Sequence, residues 1–235
     1  MKVTDCMKAR LVLLGIVALA LLLAACAPPP ALRDDTLVDD TSLVTGDPCT
    51  APCWRGITPG ETLWRDALTI IEDDTQFENI QTREDEASDA IGAIWNVAGG
   101  PECCQMVAED GTTVNLIFVR PRPNMTVGQL IEAHGEPVYA IGTPVSEDQA
   151  IINLVYPDLP IIVLAFVPGE QGNLSETSEI IGVFYTTEAD MELFVTTQSL
   201  HAWEGYAPYT TYRTAEDADY EVTPSVTLTP TVAAE

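Results

Sequence analysis

Two stretches of this chain begin alike and continue alike, which narrows what it can fold into. Thr58-Pro59-Gly60-Glu61 and Thr126-Val127-Gly128-Gln129 both read as T-x-x-[EQ] capping boxes. In this device the threonine hydroxyl and the carboxylate or amide three residues on satisfy backbone N–H groups at a helix start. After the first, Leu63, Trp64, Ala67, Leu68 and Ile71 recur at helical spacing, with Pro59 suited to a first helical turn. After the second come Leu130, Ile131 and His134, then Gly135 as a left-handed stop and Pro137 against restart. Each predicted helix is followed by four runs of strand character. The first set spans residues 77–83, 91–97, 104–108 and 113–120, and the second spans 138–141, 150–156, 161–167 and 180–186. A last helix is predicted over 188–198, with Met191, Phe194 and Val195 facing inward.

The fold class expected from this order is α+β: antiparallel sheet with helices packed on one face, as two tandem helix–meander units or as one domain with two independently capped helices. The spacing T-x-x-Q…G-x-P followed by a strand is similar to small lipoproteins of bacterial outer-membrane assembly and to the tandem repeats of β-lactamase-inhibitor proteins. That resemblance implies helices on one face of an antiparallel sheet. The first unit departs from it, because no G-x-P follows Ile71. The expected boundaries are residues 1–25 as a signal peptide, 26–47 as a disordered acidic tether, 48–122 and 123–212 as the two units, and 213–235 as a disordered tail. The tether reading rests on Pro28-Pro29-Pro30, Asp34-Asp35 and Asp39-Asp40, and the tail reading on its acidic start and Thr-Pro steps.

The amino terminus says where such a domain would sit. Lys2, Lys8 and Arg10 precede an apolar run from 11 to 23, which is short for a bilayer span. Leu23-Ala24-Ala25-Cys26 follows and resembles the lipobox of bacterial lipoproteins. The resemblance implies cleavage before Cys26, diacylglycerol on its sulfur, and a lipid-anchored position on the extracytoplasmic side of a cell membrane. Pro52-Cys53-Trp54-Arg55-Gly56-Ile57-Thr58-Pro59-Gly60-Glu61-Thr62 is similar to a segment of uncharacterised bacterial lipoproteins, together with Cys103-Cys104 and His201-Ala202-Trp203-Glu204-Gly205. That family brings no activity with it.

Charge excludes one class of partner. The chain holds 10 basic and 36 acidic residues, and removing 1–25 takes away Lys2, Lys8, Arg10 and Asp5. The remaining net charge of −28 repels nucleic-acid phosphates and anionic lipid headgroups alike. The expected partners are the membrane that takes the anchor and a protein or envelope component, with no nucleic acid.

Catalytic signatures are missing from the sequence. There is no G-x-S-x-G, H-E-x-x-H, Walker loop, G-x-G-x-x-G or EF-hand loop, and two histidines, His134 and His201, offer little for a triad. No enzyme activity, cofactor or metal is expected. Asn124-Met125-Thr126 and Asn173-Leu174-Ser175 match glycosylation sequons, which in a bacterial lipoprotein default to unmodified.

Four cysteines remain once Cys6 and Cys26 are accounted for: Cys49, Cys53, Cys103 and Cys104. An even count in an exported chain points to disulfides, with a redox-active Cys103-Cys104 pair as the functional alternative. Bonding Cys103 to its neighbour Cys104 strains the peptide between them, so the two long-range pairings are favoured. Closing a loop of about 50 residues in this way would contribute roughly 4 kcal/mol by chain entropy. Finally, Trp203, Tyr206, Tyr209 and Tyr212 form an aromatic stretch without clear periodicity. Such a stretch is a candidate recognition surface, or else a cover for the sheet edge.

Overall fold

The computed structural model describes residues 31–213. Residues 1–25, expected as a signal peptide, Cys26, and residues 214–235 of the expected tail lie outside the described residues. The elements in chain order are helix α1 (Ser42–Thr45), helix α2 (Trp64–Asp73), strands β1 (Phe77–Glu84), β2 (Ile91–Val97), β3 (Glu102–Ala108) and β4 (Leu116–Val119), and helix α3 (Val127–His134). Strands β5 (Tyr139–Ser146), β6 (Gln149–Tyr156), β7 (Ile161–Val167) and β8 (Ile180–Thr186) follow, then helix α4 (Glu188–Thr197), strand β9 (His201–Ala202) and a 3₁₀ turn (Tyr209–Thr211).

The strands make one antiparallel sheet in the order β1-β2-β3-β4-β8-β7-β6-β5-β9. Sheet dominates, and the helices are few and short. Two four-strand meanders therefore meet through their last strands, β4 and β8, with Phe118 opposite Phe184 and Val119 opposite Val183.

Register explains where the core lies. Residues directly opposite in an antiparallel ladder share a face. One inner row runs Met106, Ile117, Tyr185, Ile161, Tyr156, and a second runs Trp95, Cys104, Val119, Val183, Val163, Leu154, Ala140. All of these are buried. Trp64, Ala67 and Ile71 of α2, and Val127 and Leu130 of α3, belong to the same buried cluster. Helix α2 exists because those three positions, spaced by three and four, give it one apolar stripe.

The segment expected as a tether is part of the domain from Leu32 onward. Leu37, Val38 and Leu43 are buried, Val38 bridges to Pro121, and the Asp40 carboxylate accepts a hydrogen bond from the Trp54 indole at 2.7 Å. Asp35 and Asp39 stay exposed while the few apolar residues and Asp40 dock, which composition alone did not separate.

The two helix starts differ. At α3 the capping box is complete: Gln129 N–H donates to Thr126 Oγ1, and Thr126 N–H donates to the Gln129 side chain. The helix predicted after Thr58, α2, in contrast starts at Trp64. Gly60 takes a positive φ of 82° and donates its N–H to Val114 O, so residues 58–62 turn and cannot be helical.

The disulfides are also not those favoured by the sequence. Cys49 pairs with Cys53 across a turn closed by Cys53 N–H to Thr50 O, with a Cα separation of 5.7 Å. Cys103 pairs with Cys104. Successive strand residues normally face opposite ways, which would part these two. A bulge prevents that: Trp95 opposes Cys104 while Asn96 opposes Glu102, leaving Cys103 as the extra residue. Both sulfur-bearing side chains are consequently buried.

Candidate functional site

The face of the sheet opposite the core is where the chain departs from an ordinary soluble protein. An antiparallel sheet that is solvated on one side alternates apolar and polar residues. Strand β7 reads Ile-Ile-Val-Leu-Ala-Phe-Val and β8 reads Ile-Ile-Gly-Val-Phe-Tyr-Thr, apolar at both parities. The outward set forms rows of its own. One row runs from Phe118 through Phe184, Ile162 and Val155 to Tyr139. Beside it lie Leu164 and Ile141, flanking Asn153, and then Phe166 and Ile151. Except for buried Val155, these side chains are partly exposed, while their inner-face neighbours are sealed.

Packing within this face is tight. The Phe118 and Phe184 rings stack with centroids 4.3 Å apart. Gly182 is the gap that admits them, since a Cβ there would stand 3.1 Å from both Leu164 and Phe118. Across β4, β8, β7, β6 and β5 the outward positions hold no charged residue, although the chain carries 36 acids. The polar residues there are Thr186, Asn153, Gln149, Thr143 and Ser146, all neutral.

The described chain enters over one corner of this face. Leu32 N–H donates to Gln149 Oε1 at 2.8 Å. The Arg33 guanidinium lies 4.5 Å above the Phe166 ring and pairs with Glu179 at 3.1 Å. From there the chain passes to the buried Leu37 and Val38 on the core side.

No family model, curated protein or solved structure matches this chain at a significant level. What the protein can do is therefore argued from its own geometry.

The residues singled out from sequence are scattered. Tyr209 and Tyr212 are fully buried, and the Tyr212 hydroxyl donates to Gly205 O at 2.6 Å. Trp203 stacks on Tyr212 with ring centroids 5.7 Å apart and planes 5° from parallel. Tyr209 lies against Gly142 of β5, where a Cβ would sit 2.7 Å from its ring. The aromatic stretch thus covers the inner face at β5, and of the four expected recognition residues only Tyr206 is exposed.

Cys103 and Cys104 are each 1% exposed, so no attacking thiolate can reach their sulfurs in the folded state. His134 Nε2 is held 2.5 Å from the Leu43 carbonyl. Burial raises the phenol pKa values of Tyr156 and Tyr185 above the ordinary tyrosine value, which keeps both protonated. Among the described residues no cluster of His, Cys, Asp or Glu is arranged to hold a metal ion.

A cavity of about 200 Å³ lies between α4 and Pro157, lined by Met191, Val195 and Thr196 with Glu188 and Glu192. It is smaller than the roughly 300–1,000 Å³ of typical small-molecule sites.

The outer face escaped the sequence reading for a definite reason. Its signal was present in the unbroken apolar runs of β7 and β8. Such runs read equally as strands buried on both sides.

Proposed function

We propose that this protein is a lipid-tethered extracytoplasmic module that binds through an apolar surface and carries out no catalysis. One observation carries this reading: the uncharged aromatic and aliphatic face of β4, β8, β7, β6 and β5. Contiguous apolar patches of this kind on otherwise highly charged proteins mark interaction sites. The lipobox-like Leu23-Ala24-Ala25-Cys26 supports an anchor at Cys26 after removal of residues 1–25. A net charge of −28 keeps the remainder soluble and turns nucleic acid away. The burial of Cys103 and Cys104 weighs against a thiol oxidoreductase.

The meeting of two meanders through β4 and β8, each preceded by a helix, favours two tandem units as the plan of the chain. This is the arrangement implied by the resemblance to inhibitor-protein repeats. An inhibitor-like module is accordingly the second reading, with a protein as its target.

The test is the intact mass of chain extracted from host membranes, with thiols alkylated before and after reduction. A diacylglycerol mass on an amino-terminal Cys26, with four thiols appearing only on reduction, is the expected result. An unlipidated chain beginning at residue 1, or free thiols in the native protein, would contradict the reading.

A further inference from the structure

We propose that the outer sheet face rests on the lipid surface that holds the anchor, so that the domain lies on its membrane rather than standing away from it. The inference depends on the anchor reading at Cys26 and names what the apolar face binds. Two observations lead to it beyond the apolar character of the face.

The first is where the chain arrives. The described residues begin directly over this face, with Leu32 tied to Gln149 and Arg33 stacked on Phe166. Four residues separate Cys26 from Ala31, and the five steps between them, at about 3.6 Å per extended residue, reach at most roughly 18 Å. A lipid on Cys26 is therefore confined close to the Phe166 corner, and the face beside that corner is the surface brought to the bilayer.

The second is charge. The chain repels anionic headgroups everywhere except where its acids are missing. The outward positions of β4, β8, β7, β6 and β5 form such a region, bounded at its Thr186 end by α4, whose Asp190 accepts from the Thr186 hydroxyl. It offers Phe and Leu to the acyl boundary, with Tyr139 at one end of the row and Arg33 at the entry corner. The ladder hydrogen bonds are already made within the sheet, so the face can meet hydrocarbon without exposing unpaired backbone. Uncharged or zwitterionic lipid suits this surface, whereas anionic lipid would repel the surrounding acids.

The experiment uses the full chain, purified with its native lipid and reconstituted in phosphatidylcholine vesicles. Tryptophan is placed on the outer face by Phe184→Trp and, independently, by Ile162→Trp. Leu63→Trp serves as a comparison site, being 48% exposed and set before α2. The vesicles contain phosphatidylcholine brominated along its acyl chains, and wild-type emission is subtracted. The expected result is quenching of the outer-face tryptophans at least threefold stronger than of Leu63→Trp. Equal quenching at all sites overturns the proposal. So does an outer-face tryptophan shielded from aqueous acrylamide but untouched by bromine, which would mean that a protein partner or a second copy covers the face.

The mass of the same preparation separates the two readings. If Cys26 carries no lipid, the anchor reading fails. The unlipidated chain added to the same vesicles then decides the docking proposal by the same bromine signal. Should Phe184→Trp fail to fold, Ile162→Trp carries the test.

Discussion

Arg55 shows how one residue can hold a loop in place. Its φ of 53° is left-handed, a conformation that side chains other than glycine rarely adopt. Its guanidinium donates to Asp74 and Gln76, lies 3.6 Å from Asp40, and sits over the rings of Trp54 and Phe77. Removing one member of such a shielded group strands the others. We expect Arg55→Ala to cost about 3 kcal/mol in denaturant unfolding. Arg65→Ala, at an exposed ion pair with Asp66, should cost less than about 0.5 kcal/mol.

The disulfides allow a similar comparison. Cys49 and Cys53 close only a five-residue loop, for which chain entropy gives about 2 kcal/mol and not the roughly 4 kcal/mol of a long-range bridge. A Cys49→Ser, Cys53→Ser double variant should show the smaller loss.

Asp110 is the clearest titrating group. Thr113 N–H, then the Thr112 hydroxyl and N–H, donate to its carboxylate and lower its pKa from 3.8 to about 2. Because the folded value is the lower one, its contribution to stability is complete above about pH 4. It is lost as pH falls towards 2. The carboxyl resonance of Asp110 should titrate with a midpoint near 2, and a midpoint near 3.8 would mean the turn is not formed.

Individual elements differ in how much of them the sequence discloses. The α3 cap was legible because everything it needs lies within residues 126–129. The same letters at Thr58 failed because Gly60 is held by Val114, a partner 54 positions away that no local pattern reveals. Thr126→Ala should cost about 1 kcal/mol, while Thr58→Ala should lose no helix cap. Both are read by urea unfolding. The strand runs were legible from period and composition, and the register that aligns them into two opposed faces was not. The bulge at Cys103 could not be foreseen either, since it depends on the pairing of β3 with β2. Gly142 records a further tertiary constraint: the Tyr209 ring occupies the space of a Cβ, so Gly142→Ala should cost about 1–3 kcal/mol.

At the scale of the molecule, the account turns on a sheet with two apolar faces: the inner one is sealed, while the outer one is covered only in part, by α4 at Thr186 and by the entering chain at Gln149 and Phe166. The inner face explains folding, and the outer face is surplus to it. Composition concealed this surplus, because the many acids lie elsewhere and the average hydropathy is unremarkable. The most direct test is binding of a neutral solvatochromic dye such as Nile red to the folded chain in detergent-free buffer. The native protein should bind the dye with a blue shift while unfolding as a single cooperative transition. A Leu164→Gln variant should keep that transition to within about 1 kcal/mol and lose most of the signal. A native chain that leaves the dye dark, or a variant that binds it unchanged, would show that the outer face is not an open apolar surface.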